Sequence, residues 1–226
     1  MKDSEREALL VDTKQVKSKE RVSAHGEVFT APREVNAMLD LVKGETERIE
    51  SRFLEPACGD GNFLIEILRR KMAIVDERYF KSMIDWEYNA AIAVSSIYGV
   101  ELLEDNAKDC RDRLFDYFCE EYNKHSGKHR KNKNDFLKSI QYLLQKNIVC
   151  GDALTYRTAK DEPIIFAEWT PIGEGKVGRC DFQFDFMVEQ SYQYTLFDAE
   201  GEVQKFDSPV KSFLPKHYTK LYEYEE

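Results

Sequence analysis

The chain has 226 residues, with 33 basic and 42 acidic side chains and a formal net charge of −9. This length and an apolar fraction of 42% predict one folded domain with a sizeable core and exclude a wholly disordered chain. The longest unbroken apolar run, Ala90–Val94, is five residues, and the first 23 residues carry 11 charges, so neither a membrane span nor a secretory signal is predicted. The five cysteines include no C-x-x-C pair. This argues against a zinc site and a disulfide framework and favours a reduced, cytoplasmic protein.

The N-terminal part of the chain predicts the opening of an α/β unit. Residues 1–23 are predicted to be a charged arm, and residues 24–226 a single domain. A helix is expected to begin at Pro32, because proline is favoured in the first turn of a helix. A short strand at 53–54 then leads through a glycine-containing turn to a helix that begins near Asn62. The succession of strand, glycine turn and helix is typical of a doubly wound sheet.

The alternation of helices and strands continues to about residue 167. Strands are predicted at 97–101, 147–150 and 163–167, and helices from Glu104 and over 136–144. Strands that alternate with helices predict a mostly parallel sheet flanked by helices.

The C-terminal third of the chain differs in pattern and charge. Residues 180–197 alternate aromatic and polar side chains, and 199–201 is predicted to be a hairpin turn between strands 194–198 and 202–206. A β-rich C-terminal part is therefore expected. Such alternation indicates core packing more often than a platform for base stacking. Residues 151–226 hold 15 acidic and 8 basic side chains, which is a poor composition for a surface that binds DNA by itself.

Acidic residues stand at the ends of the first three predicted strands: Glu55, Glu101 and Asp152. Because ligands of such sheets bind at the carboxyl ends of the strands, these carboxylates are expected to meet beside the Gly59–Gly61 turn. They suit a ligand with hydroxyls, an amine or a positive charge, and they repel phosphates. A P-loop is excluded because no Gly-Lys-Ser/Thr occurs, and a dinucleotide fingerprint lacks its third glycine, at Leu64. A helix cap or a solvated strand end remains the alternative for each acid alone.

Four segments of the chain recur together in one known family. They are His25–Pro32 (HGEVFTAP), Leu54–Leu64 (LEPACGDGNFL), Tyr98–Leu102 (YGVEL) and Asn147–Leu154 (NIVCGDAL). In this order they resemble motifs X, I, II and III of the S-adenosylmethionine-dependent DNA adenine-N6 methyltransferases of restriction–modification systems. The resemblance covers about residues 25–155 and implies a Rossmann-like class I methyltransferase fold.

The resemblance implies a role for each matching residue toward S-adenosylmethionine. Thr30 would bind the methionine carboxylate, Glu55 the amino group, Glu101 the ribose hydroxyls and Asp152 the adenine amine. The backbone of the glycine turn would surround the methionine part, and the side chains of motifs II and III would flank the adenine. The implied cofactor-binding set is Thr30, Glu55, Ala57, Cys58, Gly59, Gly61, Phe63, Glu101, Leu102, Asp152, Ala153 and Leu154.

The family's catalytic motif, an Asn/Asp/Ser-Pro-Pro-aromatic sequence after the fourth strand, is absent, because the chain contains no Pro-Pro. Glu168-Trp169-Thr170-Pro171 occupies the corresponding place. One interpretation makes these four residues an altered acceptor site, with Trp169 as the stacking platform and Glu168 as the acceptor of amine hydrogens. A second is that the motif is lost, and a third is that Trp169 only packs against the sheet.

A basic stretch between two predicted helices is the one segment that could grip DNA phosphates. Lys128, Arg130 and Lys131 are its candidate nucleic-acid contacts, and a solvated loop is the alternative.

The sequence thus predicts a cofactor-binding half (25–155) and a variant catalytic half (156–226) of one methyltransferase-like domain. Methyl transfer to DNA would be a direct displacement without a metal, with specificity supplied by a partner specificity or methylase subunit. The alternatives are an inactive S-adenosylmethionine-binding regulatory or scaffold subunit, and a methyltransferase for a non-DNA acceptor.

Overall fold

The computed structural model of the protein describes residues 17–25, 27–125, 133–185 and 209–225. Within these ranges the helices are α1 (Lys19–His25), α2 (Pro32–Asp40), α3 (Lys43–Thr46), α4 (Asn62–Tyr79), α5 (Met83–Ser95), α6 (Glu104–His125) and α7 (Lys133–Asn147). The strands are β1 (Phe53–Glu55), β2 (Ile97–Glu101), β3 (Ile148–Cys150), β4 (Ile165–Gly173), β5 (Lys176–Gln183) and β6 (Lys211–His217). A 3₁₀ helix, Tyr218–Glu225, follows β6 and is kinked at Lys220.

Strands β1, β2 and β3 form a parallel sheet in that order. Phe53 pairs with Ile97, and Gly99 pairs with Ile148. Each crossover consists of two helices, α4 with α5 and α6 with α7. Parallel strands need such crossovers, which cover the sheet, and every residue of the central strand β2 is buried. The predicted α/β alternation is confirmed over this part of the chain.

The core lies between the sheet and the crossover helices. In α4, Leu64, Leu68 and Val75 recur at helical spacing and are fully buried. Aromatic side chains fill the space between α5 and α6, where the rings of Trp86 and Phe118 lie 6.1 Å apart. Burial of these large side chains makes the parallel sheet a rigid base for whatever binds at its strand ends.

The chain after residue 163 leaves the parallel sheet. β4, β5 and β6 form a separate antiparallel sheet in that order. The prediction of a fourth parallel strand at 163–167 is therefore wrong. The turn at Gly173, Glu174 and Gly175, all with positive φ, returns the chain as a β4–β5 hairpin. A short buried apolar run does not by itself reveal whether its neighbour will be parallel or antiparallel.

The charged arm at 1–23 is predicted to be frayed or loosely helical, and its described end is helical from Lys19, where α1 begins. The hairpin predicted at 194–206 lies outside the described residues. Among the helices that are described, none is both long and apolar enough to cross a membrane.

Candidate functional site

A cleft of about 520 Å³ opens at the carboxyl ends of β1, β2 and β3. Eleven of the twelve predicted cofactor-binding residues line it: Thr30, Glu55, Ala57, Cys58, Gly59, Phe63, Glu101, Leu102, Asp152, Ala153 and Leu154. The twelfth, Gly61, is buried behind the turn, where its N–H donates to Cys58 O at 2.9 Å. The three strand-end acids therefore meet in one place, as the parallel topology requires.

The turn between β1 and α4 forms the floor of the cleft. The Cys58 N–H donates to Val100 O at 2.9 Å, which fastens the turn to the end of β2. Gly59 and Gly61 have φ values of +54° and +94°, and a Cβ at Gly61 would lie 2.6 Å from the Cys110 Sγ. Glycine is required at these two positions, because an L side chain would be strained in this conformation and the space is already filled.

Glu101 organises the turn from the end of β2. Its carboxylate accepts hydrogen bonds from the backbone N–H groups of Gly59, at 2.9 Å, and Leu103, at 3.1 Å. The side-chain amide of Asn106 donates to it at 3.4 Å. Glu101 is 8% exposed, so these donors compensate the burial of its charge.

The other two strand-end acids leave more of their carboxylates open to a ligand. Glu55 accepts only a long hydrogen bond, 3.4 Å, from the Ala57 N–H, and burial raises the pKa of its carboxyl. One oxygen of Asp152 accepts from the Leu154 N–H at 2.8 Å. The exposed side chains of Leu102 (58%) and Leu154 (90%) line the cleft together with Asp152. A carboxylate and exposed apolar side chains in one cleft can hold a flat ring that carries an amine.

The segment 27–30 forms one wall of the cleft, and only one of its four residues, Thr30, is predicted from the sequence to bind the cofactor. Thr30 was expected to line the cleft, but Glu27, Val28 and Phe29 line it as well. A Cβ on Gly59 would lie 3.1 Å from the Phe29 ring. The Asn62 side-chain amide donates to Thr30 O at 3.1 Å and ties the wall to the start of α4. The motif His25–Pro32 indicated this segment as a whole. The places of Glu27, Val28 and Phe29 in the cleft depend on contacts with residues from distant parts of the chain.

The cleft is strongly acidic. Five carboxylates line it, those of Glu27, Glu55, Asp60, Glu101 and Asp152, and within the described ranges no Lys, Arg or His side chain does. Arg113 pairs with Asp60 at 2.6 Å, and Arg21 pairs with Glu27, but neither cation lines the cleft. Such a surface attracts cations and hydrogen-bond donors and disfavours phosphates.

The segment predicted to hold the acceptor lies elsewhere. None of Glu168, Trp169, Thr170 and Pro171 lines the cleft. Glu168 pairs with Arg52 at 2.5 Å, and the Trp169 ring N–H donates to the Asn147 side-chain oxygen at 2.8 Å. Arg52 immediately precedes β1, and Asn147 immediately precedes β3. Both residues therefore lie at the amino ends of these strands, whereas the cleft is at the carboxyl ends.

Trp169 is unavailable as a stacking platform in this structure. It is 4% exposed and packs against Tyr142 and Tyr224, with ring centroids 6.2 and 6.0 Å away. The Arg179 guanidinium lies 5.7 Å from its centroid. The interpretation of Trp169 as a packing residue is therefore the one that fits its surroundings. The predicted DNA contacts Lys128, Arg130 and Lys131 lie outside the described residues.

Comparison with known families gives one match, to the family described as MmeI, DNA-methyltransferase domain, over residues 32–162. The matched region spans β1, β2, β3 and most of the cleft, and it ends before β4 begins. Neither curated proteins nor solved structures yield a match to the chain. Since the family covers more than half of the 226 residues, the chain belongs to the restriction–modification DNA methyltransferases of the MmeI DNA-methyltransferase domain family.

Proposed function

We propose that the chain binds S-adenosylmethionine in the acidic cleft and serves as the cofactor-binding part of a DNA adenine-N6 methyltransferase with a Rossmann-like class I fold. The observation that carries this proposal is the meeting of Glu55, Glu101 and Asp152 at three adjacent strand ends beside the glycine turn. S-adenosylmethionine carries an ammonium group, a sulfonium, ribose hydroxyls and an adenine amine. These are the cationic and donor groups that the cleft favours.

The residues present fit the parts of this cofactor. Asp152 would accept from the adenine amine while Leu102 and Leu154 cover the ring faces. Glu101 would lie at the ribose, and Glu55 would face the ammonium group. Three buried acceptors of cleft-lining residues, Glu27 Oε1, Asp60 Oδ1 and Asn106 Oδ1, lack hydrogen-bond partners among the described residues, which is expected of groups that a polar ligand satisfies.

When bound, the cofactor supplies an electrophilic methyl group on sulfur, and a direct displacement needs little chemistry from the protein beyond positioning. The residues described here bind and orient; no described side chain of the cleft duplicates an amide–proline–aromatic acceptor site. We therefore propose that a partner specificity or methylase subunit brings the groups that hold the target base and recognise DNA.

A non-catalytic cofactor-binding subunit is the second candidate. The specific observation in its favour is that Glu168 and Trp169 are engaged with Arg52 and Asn147 at the far end of the sheet. The two functions make the same prediction for cofactor affinity and opposite predictions for methyl transfer.

Calorimetric titration with S-adenosylmethionine tests the proposal. We expect a dissociation constant of about 100 μM or tighter, or about −5.5 kcal/mol. The substitution Asp152→Ala should weaken binding about tenfold, since a charge-assisted hydrogen bond contributes roughly 1.5 kcal/mol or more. Asp112→Ala, on the exposed side of α6, is the matched control and should leave affinity unchanged.

Wild-type protein without measurable affinity would overturn the cofactor site. Affinity that Asp152→Ala leaves intact would place the cofactor away from this cleft. If binding is established, transfer of radiolabelled methyl groups to unmethylated DNA, with and without a methylase or specificity subunit, separates the enzyme from the non-catalytic subunit.

A further inference from the structure

Glu27 is a buried carboxylate at the wall of the cleft. Its side chain is 6% exposed, and one oxygen, Oε2, pairs with the Arg21 guanidinium of α1. Its other oxygen, Oε1, is buried and has no hydrogen-bond partner within the described part of the chain. A carboxylate accepts hydrogen bonds and cannot donate them, so only a donor can satisfy this atom.

Arg21 fixes Glu27 from outside the cleft. Its guanidinium also donates to both oxygens of Asp105 at the start of α6, at 2.6 and 3.1 Å. These hydrogen bonds from Arg21 lower the pKa of Asp105 to about 2, so the pair remains ionised at neutral pH. Lys17 pairs with Asp109 one turn further along α6, at 2.6 Å. Lys17 and Arg21 thus clasp α1 and the residues just before it to α6, and Glu27 is held beside the first turn of that helix.

A second unsatisfied acceptor lies on that same turn. Asn106 is 1% exposed and donates to Glu101 at 3.4 Å, while none of the described residues donates to its buried side-chain oxygen. Glu27, Asn106 and Glu101 all line the cleft. Two buried acceptors without donors would cost about 1–3 kcal/mol each if nothing else satisfied them, so a ligand with hydroxyl donors is expected here.

The hydrogen-bond donors around Glu101 point to the same conclusion. Its carboxylate already accepts from two backbone N–H groups, those of Gly59 and Leu103, and from Asn106. Fewer of its lone pairs remain for a ligand, so further acceptors are needed if two ligand hydroxyls are to be bound.

We propose that Glu27 is a further binding residue of the cleft and that, with Asn106 and Glu101, it forms a subsite for the two hydroxyls of a ribose. This rests on the proposed function, and it assigns Arg21 as a positioning residue that acts through Glu27. The N-terminal helix α1 then contributes to cofactor recognition although none of its residues lines the cleft.

Calorimetry with S-adenosylhomocysteine and its 2′-deoxy and 3′-deoxy analogues tests the subsite. In Glu27→Gln, the amide oxygen would pair with Arg21, and the amide N–H₂ would face the cleft in place of an acceptor. We expect the substitution to lower the affinity for S-adenosylhomocysteine about tenfold, as loss of a charge-assisted hydrogen bond predicts. The affinity for at least one deoxy analogue should fall by about threefold or less, because that analogue lacks the hydroxyl that Glu27 would bind. Glu34→Gln, an exposed glutamate of α2, is the matched control and should change neither.

Arg21→Gln provides a second variant. It retains the Glu27 carboxylate but removes the clasp, and we expect it to weaken S-adenosylhomocysteine more than the deoxy analogues, by a smaller factor than Glu27→Gln. Thermal unfolding of each ligand-free variant verifies that the protein is folded.

The outcomes separate the two proposals. If Glu27→Gln weakens all three ligands by the same factor, or weakens none, the hydroxyl subsite is wrong while the cofactor cleft stands. If wild-type protein binds none of the three ligands, the proposed function fails and the subsite fails with it.

Discussion

The parallel sheet and the antiparallel sheet of this chain use charged and aromatic residues in opposite ways. At the ends of β1, β2 and β3, the carboxylates of Glu55 and Asp152 face a cleft and keep oxygens free for a ligand. In the antiparallel sheet, the charged residue Arg179 is 7% exposed, pairs with Asp181 and is surrounded by aromatic rings. The parallel topology brings strand ends to one open edge, whereas in the antiparallel sheet the Arg179–Asp181 pair is buried beside Tyr142 of α7 and Tyr224 of the 3₁₀ helix.

The family match divides the molecule at the same place. It covers the parallel sheet and stops at residue 162, just before the antiparallel sheet begins. Aromatic residues in a segment after the match are therefore weak indicators of catalysis. In this chain Trp169 is buried against the rings of Tyr142 and Tyr224, and four substitutions test how sharply the two regions differ.

The largest effect is expected in the antiparallel sheet. Trp169→Ala removes a buried ring and the donor to Asn147, and should lower the free energy of unfolding by about 3–5 kcal/mol. Urea denaturation measures this loss. S-adenosylmethionine affinity, measured where the variant is folded, should equal that of the wild type.

Trp169→Phe is the milder companion, because it keeps an aromatic ring and loses the ring N–H and part of the indole's volume. A Trp169→Ala variant that is as stable as the wild type but cannot bind cofactor or transfer methyl groups would return this residue to a functional site.

A substitution at Lys71 tests whether a residue packed behind the parallel sheet can affect stability without affecting cofactor affinity. This fully buried lysine of α4 donates to the carbonyls of Ile49 and Ser51 and to Ser96, at the amino ends of β1 and β2. Lys71→Met removes all three hydrogen bonds, although the Ile49 carbonyl still accepts one from the Ser96 hydroxyl. It should cost about 2–4 kcal/mol without changing cofactor affinity in the folded state. The exposed Lys43→Met is the control and should be nearly neutral.

The stability that depends on Lys71 should also vary with pH. Burial lowers its pKa from the ordinary 10.5 to about 7. Between these values the unfolded chain binds a proton that the folded chain does not, so wild-type stability should fall as pH falls from 10.5 toward 7. Unfolding free energies at pH 7 and pH 9 should therefore differ more in the wild type than in Lys71→Met. An equal pH dependence in both proteins would contradict this assignment.

Gly61 tests the packing behind the cleft floor. Gly61→Ala places a Cβ 2.6 Å from the Cys110 Sγ in a backbone conformation with φ of +94°, and should destabilise the protein by about 2 kcal/mol. It should also weaken cofactor binding, because the turn that forms the cleft floor must shift. Gly44→Ala, where a Cβ meets nothing within 4 Å, is the control.

A double variant distinguishes the two causes of strain at Gly61. Cys110→Ala removes the sulfur that the new Cβ would meet, so Gly61→Ala and Cys110→Ala together should cost less than the sum of the single effects. Strict additivity would mean that backbone strain alone accounts for the loss.

The smallest effect is expected at Glu168. Its ion pair with Arg52 is partly exposed, so Glu168→Gln should change the free energy of unfolding by less than about 1 kcal/mol. Cofactor affinity should stay the same, and so should any methyl transfer measured with a partner subunit. A tenfold loss of transfer with unchanged affinity would show that Glu168 acts on the acceptor.

The sequence alone determined the cofactor-side half of the molecule to a large extent. The helices from Pro32, Asn62 and Glu104 and the strands near Phe53, Ile97 and Ile148 follow from local periodicity, proline and glycine. The meeting of the acids follows too, because the carboxyl ends of parallel strands all lie at the same edge of the sheet.

Only the tertiary structure decided the direction of β4 and the surroundings of Trp169 and Glu27. A buried apolar strand is compatible with either direction, and the hairpin turn and the pairing with β5 settle it. Glu27 is held by Arg21, which also pairs with Asp105 in the first turn of α6, 78 residues further along the chain than Glu27. Contacts between segments so distant in sequence leave no periodic signal, and they arise only when the folded core brings those segments together.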